Sequence, residues 1–167
     1  MFSIKRDRVL FLFLLLTTLG IVSQITIGGI TRVTGSGDGC PDWPTCFGKW
    51  IPPLEYHALI EYSHRSVGTM VGIFALFLCL RIFLKHRNNK ALVNVSLMLL
   101  SIIVIVGLLG GAIVLTELNP AIRTIHLMLA EITVLLSVTA LIIFLDIEKK
   151  SMSHQRKWIF FNISKEY

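Results

Sequence analysis

Polar and apolar residues along this chain are segregated into blocks instead of alternating with the period of a soluble helix or strand. Apolar runs cover residues 9–30, 59–84, 92–116 and 122–145, with charged and turn-forming residues between them. Each run is about 20 residues or longer, enough to cross a hydrocarbon core of about 30 Å as an α-helix. Inside lipid every backbone N–H and C=O needs a partner within the protein, and a helix supplies one within its own segment. The expected fold is therefore an all-α integral membrane protein, a four-transmembrane-helix bundle. It comprises one domain over residues 1–148 with an outer loop at 31–58, and a basic tail at 149–167. Composition agrees: 54% of residues are hydrophobic and 16% charged, against about 25% charged in a soluble domain.

Charge sets the expected orientation. Lys5, Arg6 and Arg8 precede the first run, Arg81, Lys85, Arg87 and Lys90 flank the join of the second and third, and Lys149, Lys150, Arg156, Lys157 and Lys165 follow the fourth. That places twelve of sixteen basic residues on one side and leaves Arg32, Lys49, Arg65 and Arg123 for the other. The positive-inside rule then puts both termini in the cytoplasm of a multi-pass plasma-membrane protein. The formal net charge of +6 is accounted for by this placement, and no nucleic-acid partner is expected. Lys5, Arg6 and Arg8 before an apolar stretch also fit a signal peptide. Such a segment has only about 7–15 apolar residues, and this run continues to Ile30. A retained helix is expected.

The outer loop carries Gly35, Gly37, Gly39, Pro41, Pro44, Pro52 and Pro53, which exclude a continuous helix. Trp43, Phe47 and Trp50 suit the membrane interface, and a loop folded onto the membrane surface is expected. Cys40 and Cys46 lie on the oxidising side, where disulfides persist. A structural disulfide and a redox-active pair are both open. The first is favoured because neither C-x-x-C spacing nor a basic cluster is present to activate a thiol. Cys79 reads as a small core residue within the second run.

The two halves of the chain repeat a pattern. Gly28-Gly29 near the end of the first run matches Gly110-Gly111 in the third, and the run after each opens with a histidine, His64 or His126. The bundle is thus expected to consist of two pseudo-repeated hairpins related by an axis along the membrane normal. Runs two and four both enter from outside, so His64 and His126 can face each other at equal depth. An ionisable side chain there is costly without a partner or a function, and neutral imidazole is the commonest metal ligand. Gly68, Gly72 and Ala130 share faces with the two histidines and leave room for a flat macrocycle. The metal expected is haem iron, because no further Cys or His shares that depth to complete a tetrahedral set. Each glycine pair can equally serve plain helix packing, which is the reading preferred for Gly107 and Gly111. His57, His86 and His154 are left outside the site.

Glu61 and Arg65 flank His64. An i+4 ion pair between them is the simplest expectation. A carboxylate handling protons at a haem edge is the alternative. Arg32, Arg65 and Arg123 lie near the outer surface, where guanidinium groups can grip haem propionates or merely snorkel. Gln24 forms a polar strip between Gly20 and Gly28, and Glu131 reads as an interhelical hydrogen-bonder.

The segments Gly28-Gly-Ile-Thr-Arg-Val-Thr-Gly-Ser-Gly37, Cys40-Pro-Asp-Trp-Pro-Thr-Cys46, Ile51-Pro-Pro53 and Glu61-Tyr-Ser-His-Arg65 together resemble the first half of the haem A synthase family. The resemblance implies an oxidoreductase that converts haem O to haem A for terminal oxidases, by O2-dependent oxidation of a methyl group to formyl. It implies His64 and His126 as axial iron ligands, Glu61 as the essential acidic residue and a Cys40–Cys46 disulfide, with Arg65 and Arg32 as cofactor-binding candidates. Typical members have eight helices and a second histidine pair for haem B. A four-helix chain is expected to recover two sites as a homo-oligomer, drawing on a membrane electron donor and on a haem O synthase for substrate. Two other classes remain: a bis-histidine b-type haem protein without haem oxidation, and a quinone-linked thiol oxidase. The last needs a relay of two cysteine pairs, and the residues after the third run supply none.

Overall fold

The computed structural model describes residues 7–163, without the side chains at 151 and 154–163. Lys5, Arg6 and Lys165, counted above among the orienting basic residues, lie outside the described residues, as do the side chains of Arg156 and Lys157. Four α-helices follow in order: α1 (Arg8–Val33), α2 (Tyr56–Lys85), α3 (Lys90–Leu115) and α4 (Pro120–Ile163). All four are long and apolar enough to cross a membrane, α4 over Pro120–Lys150. We call the end carrying Arg8 the inner end and the opposite one the outer end. α2 begins three residues before the apolar run does, and the backbone of α4 stays helical into the basic tail.

Local chemistry fixes the helix ends. The Asp7 carboxylate accepts the Leu10 N–H at 3.0 Å to start α1, and the Asn89 amide oxygen accepts the Leu92 N–H at 2.9 Å to start α3. At the start of α4, Asn119 Oδ1 accepts the Ala121 N–H at 3.0 Å, and Pro120, which lacks an N–H, suits a first-turn position. α1 stops at Thr34, after which Gly35 takes φ +65°. α3 stops with Glu117 N–H on Val114 O and Leu118 N–H on Ile113 O, a Schellman closure. It forces left-handed φ values of 50° and 61° on two residues that are not glycine.

α1 packs chiefly on α2 and α3 on α4, with α2–α3 and α1–α4 closing the ring. The diagonal pairs α1/α3 and α2/α4 stand apart across the bundle axis. The filled core lies in the inner and middle thirds: Leu10, Leu14 and Ile21 of α1, Val71, Leu78 and Ile82 of α2, Leu92 and Leu99 of α3, Ala140 and Phe144 of α4. In lipid these contacts act through dispersion and shape, because the membrane is as apolar as leucine. Buried Ser96, Thr133 and Ser137 return their hydroxyls to carbonyls of their own helices. At the inner end Asp7 binds Arg81 at 2.8 Å and His86 at 3.1 Å, tying the start of α1 to the end of α2. The outer half of the interior holds glycines and imidazoles instead of leucines.

Candidate haem-binding site

His64 projects from α2, two turns from its outer end, and lies against α1. Its Cε1 would sit 2.8 Å from a Cβ added at Gly28, and its Nε2 is 3.4 Å from the Gln24 amide. The same amide would lie 2.8 Å from a Cβ at Gly68, so two glycines give these polar groups their place between α1 and α2. His126 projects from α4 toward α3. Its Nδ1 bonds the Val106 carbonyl at 3.0 Å, and its Cε1 lies 3.5 Å from the Cβ position of Gly110. Both hairpins thus set the first glycine of a Gly-Gly pair beside the histidine of the following helix. α2 and α4 are diagonal partners, so the two rings belong to opposite corners of the outer interior.

A carbonyl can only accept, so His126 Nδ1 carries the proton and its Nε2 keeps a free lone pair. Ligating histidines are commonly fixed in this way by a bond from the other ring nitrogen. An amide nitrogen can only donate, so His64 Nε2 accepts from Gln24 and the ring proton sits on Nδ1; that N–H and Gln24 Oε1 are buried with no hydrogen-bond partner among the described residues, an expense in apolar surroundings unless a further group meets them. Among the described residues no three His, Cys, Asp or Glu side chains gather to hold a metal ion. Two neutral imidazoles suit a metal whose other positions are already filled, as porphyrin nitrogens fill those of haem iron. The residues present fit a haem.

The outer loop caps this half of the bundle, and Arg65 holds it there. Its guanidinium donates to the carbonyls of Asp42 at 2.7 Å, Thr45 at 2.8 Å and Cys40 at 3.0 Å, and pairs with Glu61 at 2.5 Å. The second oxygen of Glu61 accepts the Cys40 N–H at 2.8 Å. The i+4 pairing allowed by the spacing is present, and loop carbonyls take the remaining donors at Nη1 and Nη2. Arg65 therefore clamps the loop in this structure, while Arg32 is exposed at the outer end of α1.

Cys40 and Cys46 are disulfide-bonded and fully buried, and Cys79 is free and buried in α2. Asp42 organises the turn that follows, accepting from the Thr45 hydroxyl and from the N–H groups of Gly48 at 2.9 Å and Phe47 at 2.5 Å. The Thr45 hydroxyl foremost, then Gly48 and Phe47, hold its carboxyl below the usual carboxylate range. Trp43 reaches across to α3, its ring 2.8 Å from the Cβ position of Gly111. Of the three loop aromatics expected at the membrane surface, Trp43 instead joins the two hairpins. Val106, Trp43 and Asp42 were not legible as site residues; only the doubled glycines hinted at the close approaches.

The geometry is that of a four-span bundle with two imidazoles on diagonal helices of its outer half. The chain belongs to the COX15-CtaA family, described as cytochrome oxidase assembly protein, whose pattern it matches over residues 11–59 and 54–164. Among curated relatives, the heme A synthase of Alkalihalophilus pseudofirmus is 36% identical over 120 residues, covering 69% of this chain and 39% of the relative. That of an Exiguobacterium species is 29% identical over 151 residues, covering 88% and 50%. That of Halalkalibacterium halodurans is 32% identical over 121 residues, covering 71% and 41%. The chain spans half or less of the length of these relatives.

Proposed function

We propose that this chain is a haem A synthase of the plasma membrane, with both termini cytoplasmic, that binds haem between His64 and His126 and oxidises the methyl group of haem O to formyl. The observation that carries the reading is His126, fixed by Val106 with Nε2 free, on the helix diagonal to the one that carries His64. The name shared by the relatives supports the choice of reaction. A bound haem would supply the redox centre for the O2-dependent oxidation. Two successive hydroxylations of the methyl group consume two O2, four electrons and four protons, and yield the formyl group and three waters. The electrons must come from a membrane donor.

The chain's own residues hold and orient. His64 and His126 would bind the iron, and Gly28, Gly68 and Gly110 give the two imidazoles and the Gln24 amide their room. Arg65 and Glu61 fix the loop above them. In this reading Glu61 would pass protons at the substrate's edge, and Arg32 would meet a propionate. Glu61→Gln keeps an oxygen for the Cys40 N–H but removes the charge, so it should lower turnover more than haem content.

One histidine pair per chain, among the described residues, holds one haem. A second unit is required for substrate and haem B together, and a second copy of this chain is the proposed source. Glu131 supports self-association: it is exposed near the middle of the α4 span, two residues from buried Thr133 and so on the opposite face. A mid-membrane carboxylate in that position calls for a partner outside its own bundle. Native mass spectrometry from nanodiscs that finds only monomers would overturn this part of the proposal. The single pair also favours a second reading, a bis-histidine b-type haem protein without haem oxidation.

The test is purification followed by optical spectroscopy and haem extraction. The wild type should show a six-coordinate low-spin spectrum, lost in His64→Ala and in His126→Ala. In a host that makes haem O, haem A in the extract supports the synthase; haem B or O alone supports the second reading. A colourless protein, or a low-spin spectrum surviving both substitutions together, defeats both.

A further inference from the structure

The outer loop does not simply span the gap between α1 and α2; it folds back down the side of α2. Arg65, nine residues into that helix, binds three of its carbonyls. The Tyr62 hydroxyl donates to the Trp50 carbonyl. Tyr62 lies six residues inward of the start of α2 at Tyr56, about 9 Å at 1.5 Å per residue. The apolar run of the second span begins at Leu59, and a helical side chain leans toward the N-terminus of its helix, so the Tyr62 hydroxyl holds the Trp50 backbone near the outer edge of that run. The interfacial layer between water and hydrocarbon is about 5–8 Å thick on each side, so this depth falls within it.

What the loop displays at that depth is apolar. Phe47 is 51% exposed, Trp50 71%, Ile51 81% and Leu54 93%, with Pro52 and Pro53 between the last two. Lys49 sits among them and can keep its ammonium in the headgroups while its stem lies along the rings. The tip is also preformed. Cys46 and Lys49 exchange backbone bonds at 2.9 and 3.2 Å, Asp42 caps the Phe47 and Gly48 N–H groups, and the disulfide closes the base. Such a tip loses little conformational entropy when it enters an interface.

We propose that residues 47–54 form an interfacial anchor that lies in the lipid leaflet at the outer end, beside α2. Phe47 and Trp50 sit at headgroup level, and Ile51 and Leu54 reach the first methylenes. The anchor does not depend on the haem reading. It secures the loop that Arg65 clamps over His64, so the cap is held from two sides, by a guanidinium within the protein and by lipid outside it.

The experiment uses the full chain in phosphatidylcholine nanodiscs. Leu54→Cys is labelled with an environment-sensitive fluorophore; Cys40 and Cys46 are bonded and Cys79 is buried, so the new thiol is the reactive one. Lipids carrying a nitroxide near the headgroup should quench the label several-fold more than aqueous iodide does, and more than lipids with the nitroxide at the chain end. In unlabelled protein, the difference in emission between wild type and Trp50→Phe isolates Trp50, and brominated lipids should remove most of it. Quenching by iodide alone would place the tip in water. Protection from both iodide and lipid quenchers would place a protein partner or a second copy over it. Either result overturns the anchor.

Discussion

In the α1–α2 hairpin the tight glycine is the first of its pair: Gly28 touches the His64 ring, while Gly29 faces open space. In α3–α4 the first, Gly110, makes only an ordinary contact with His126, and the second, Gly111, is tight against Trp43. The ligand scaffold is repeated, but the cap is not. Trp43 belongs to the long loop of the first hairpin; the short turn from α3 to α4 answers with Leu118, 3.2 Å from the Cβ position of Gly37 in that loop. The first hairpin therefore carries the cap, and the second supplies the notch that receives its Trp43. The loop is where a duplicated scaffold became asymmetric.

The largest effect should come from breaking the clamp. Arg65→Ala leaves Glu61 buried without its cation and frees three loop carbonyls, a loss of about 3–5 kcal/mol on the scale of broken buried pairs. Leu127 follows His126 as Arg65 follows His64, and is exposed, so Leu127→Ala should stay within about 0.5 kcal/mol. Denaturant titration in detergent measures both. Arg65→Lys should recover only part of the loss, since an ammonium cannot span the fork of acceptors. Equal small losses for Arg65→Ala and Leu127→Ala would mean that the loop is not held as described.

The glycine pairs give a sharper comparison at intermediate size. Gly28→Ala and Gly111→Ala each bring a Cβ to 2.8 Å from a ring, an overpacking cost of about 1–3 kcal/mol. Gly29→Ala meets open space and Gly110→Ala an ordinary contact; alanine is the better helix former by about 1 kcal/mol, so both should be neutral or stabilising. The readouts separate the two costs. Gly28→Ala should weaken haem loading in a titration of the purified protein, whereas Gly111→Ala should change the emission of Trp43. If all four variants behave alike, the reversal between hairpins has no energetic meaning.

This pattern also marks what could be read from the residues alone. Four spans, two hairpins and the histidine pair follow from hydropathy and spacing, because membrane helices must satisfy their backbones locally and ionisable residues inside them stand out. Gly28-Gly29 and Gly110-Gly111 were visible as a repeat, but not the side each would present. Whether a glycine faces a neighbouring helix, a loop ring or lipid depends on helix rotation, which apolar sequences specify weakly. The destination of Trp43 was hidden for the same reason: an aromatic in a loop suits a membrane surface and a helix notch equally well. Arg65 carried a correct local pairing with Glu61, while its loop acceptors are backbone atoms that no side-chain pattern announces. Glu131 was expected to bond a neighbouring helix, and within this bundle it points away from the core.

The inner ends of the hairpins yield the smallest effect and the cleanest control. α1 and α3 start with the same bond, from Asp7 to the Leu10 N–H and from Asn89 to the Leu92 N–H, but only the first cap carries charge. Partial burial pushes the Asp7 carboxyl up. Arg81, the Leu10 N–H and His86 together outweigh it and bring the pKa from 3.8 down to about 2. A carboxylate depressed in the folded state contributes stability that is complete above the unfolded value of 3.8 and is lost as pH falls through about 2. Acid should therefore loosen the α1–α2 inner end over that window and leave the Asn89 cap untouched. Asp7→Asn makes the first cap resemble the second: it should lower stability at neutral pH and flatten the acid limb between pH 4 and 2, measured as the denaturation midpoint against pH. An unchanged acid limb in Asp7→Asn would assign the pH dependence to other carboxylates, Asp42 in the outer loop first among them.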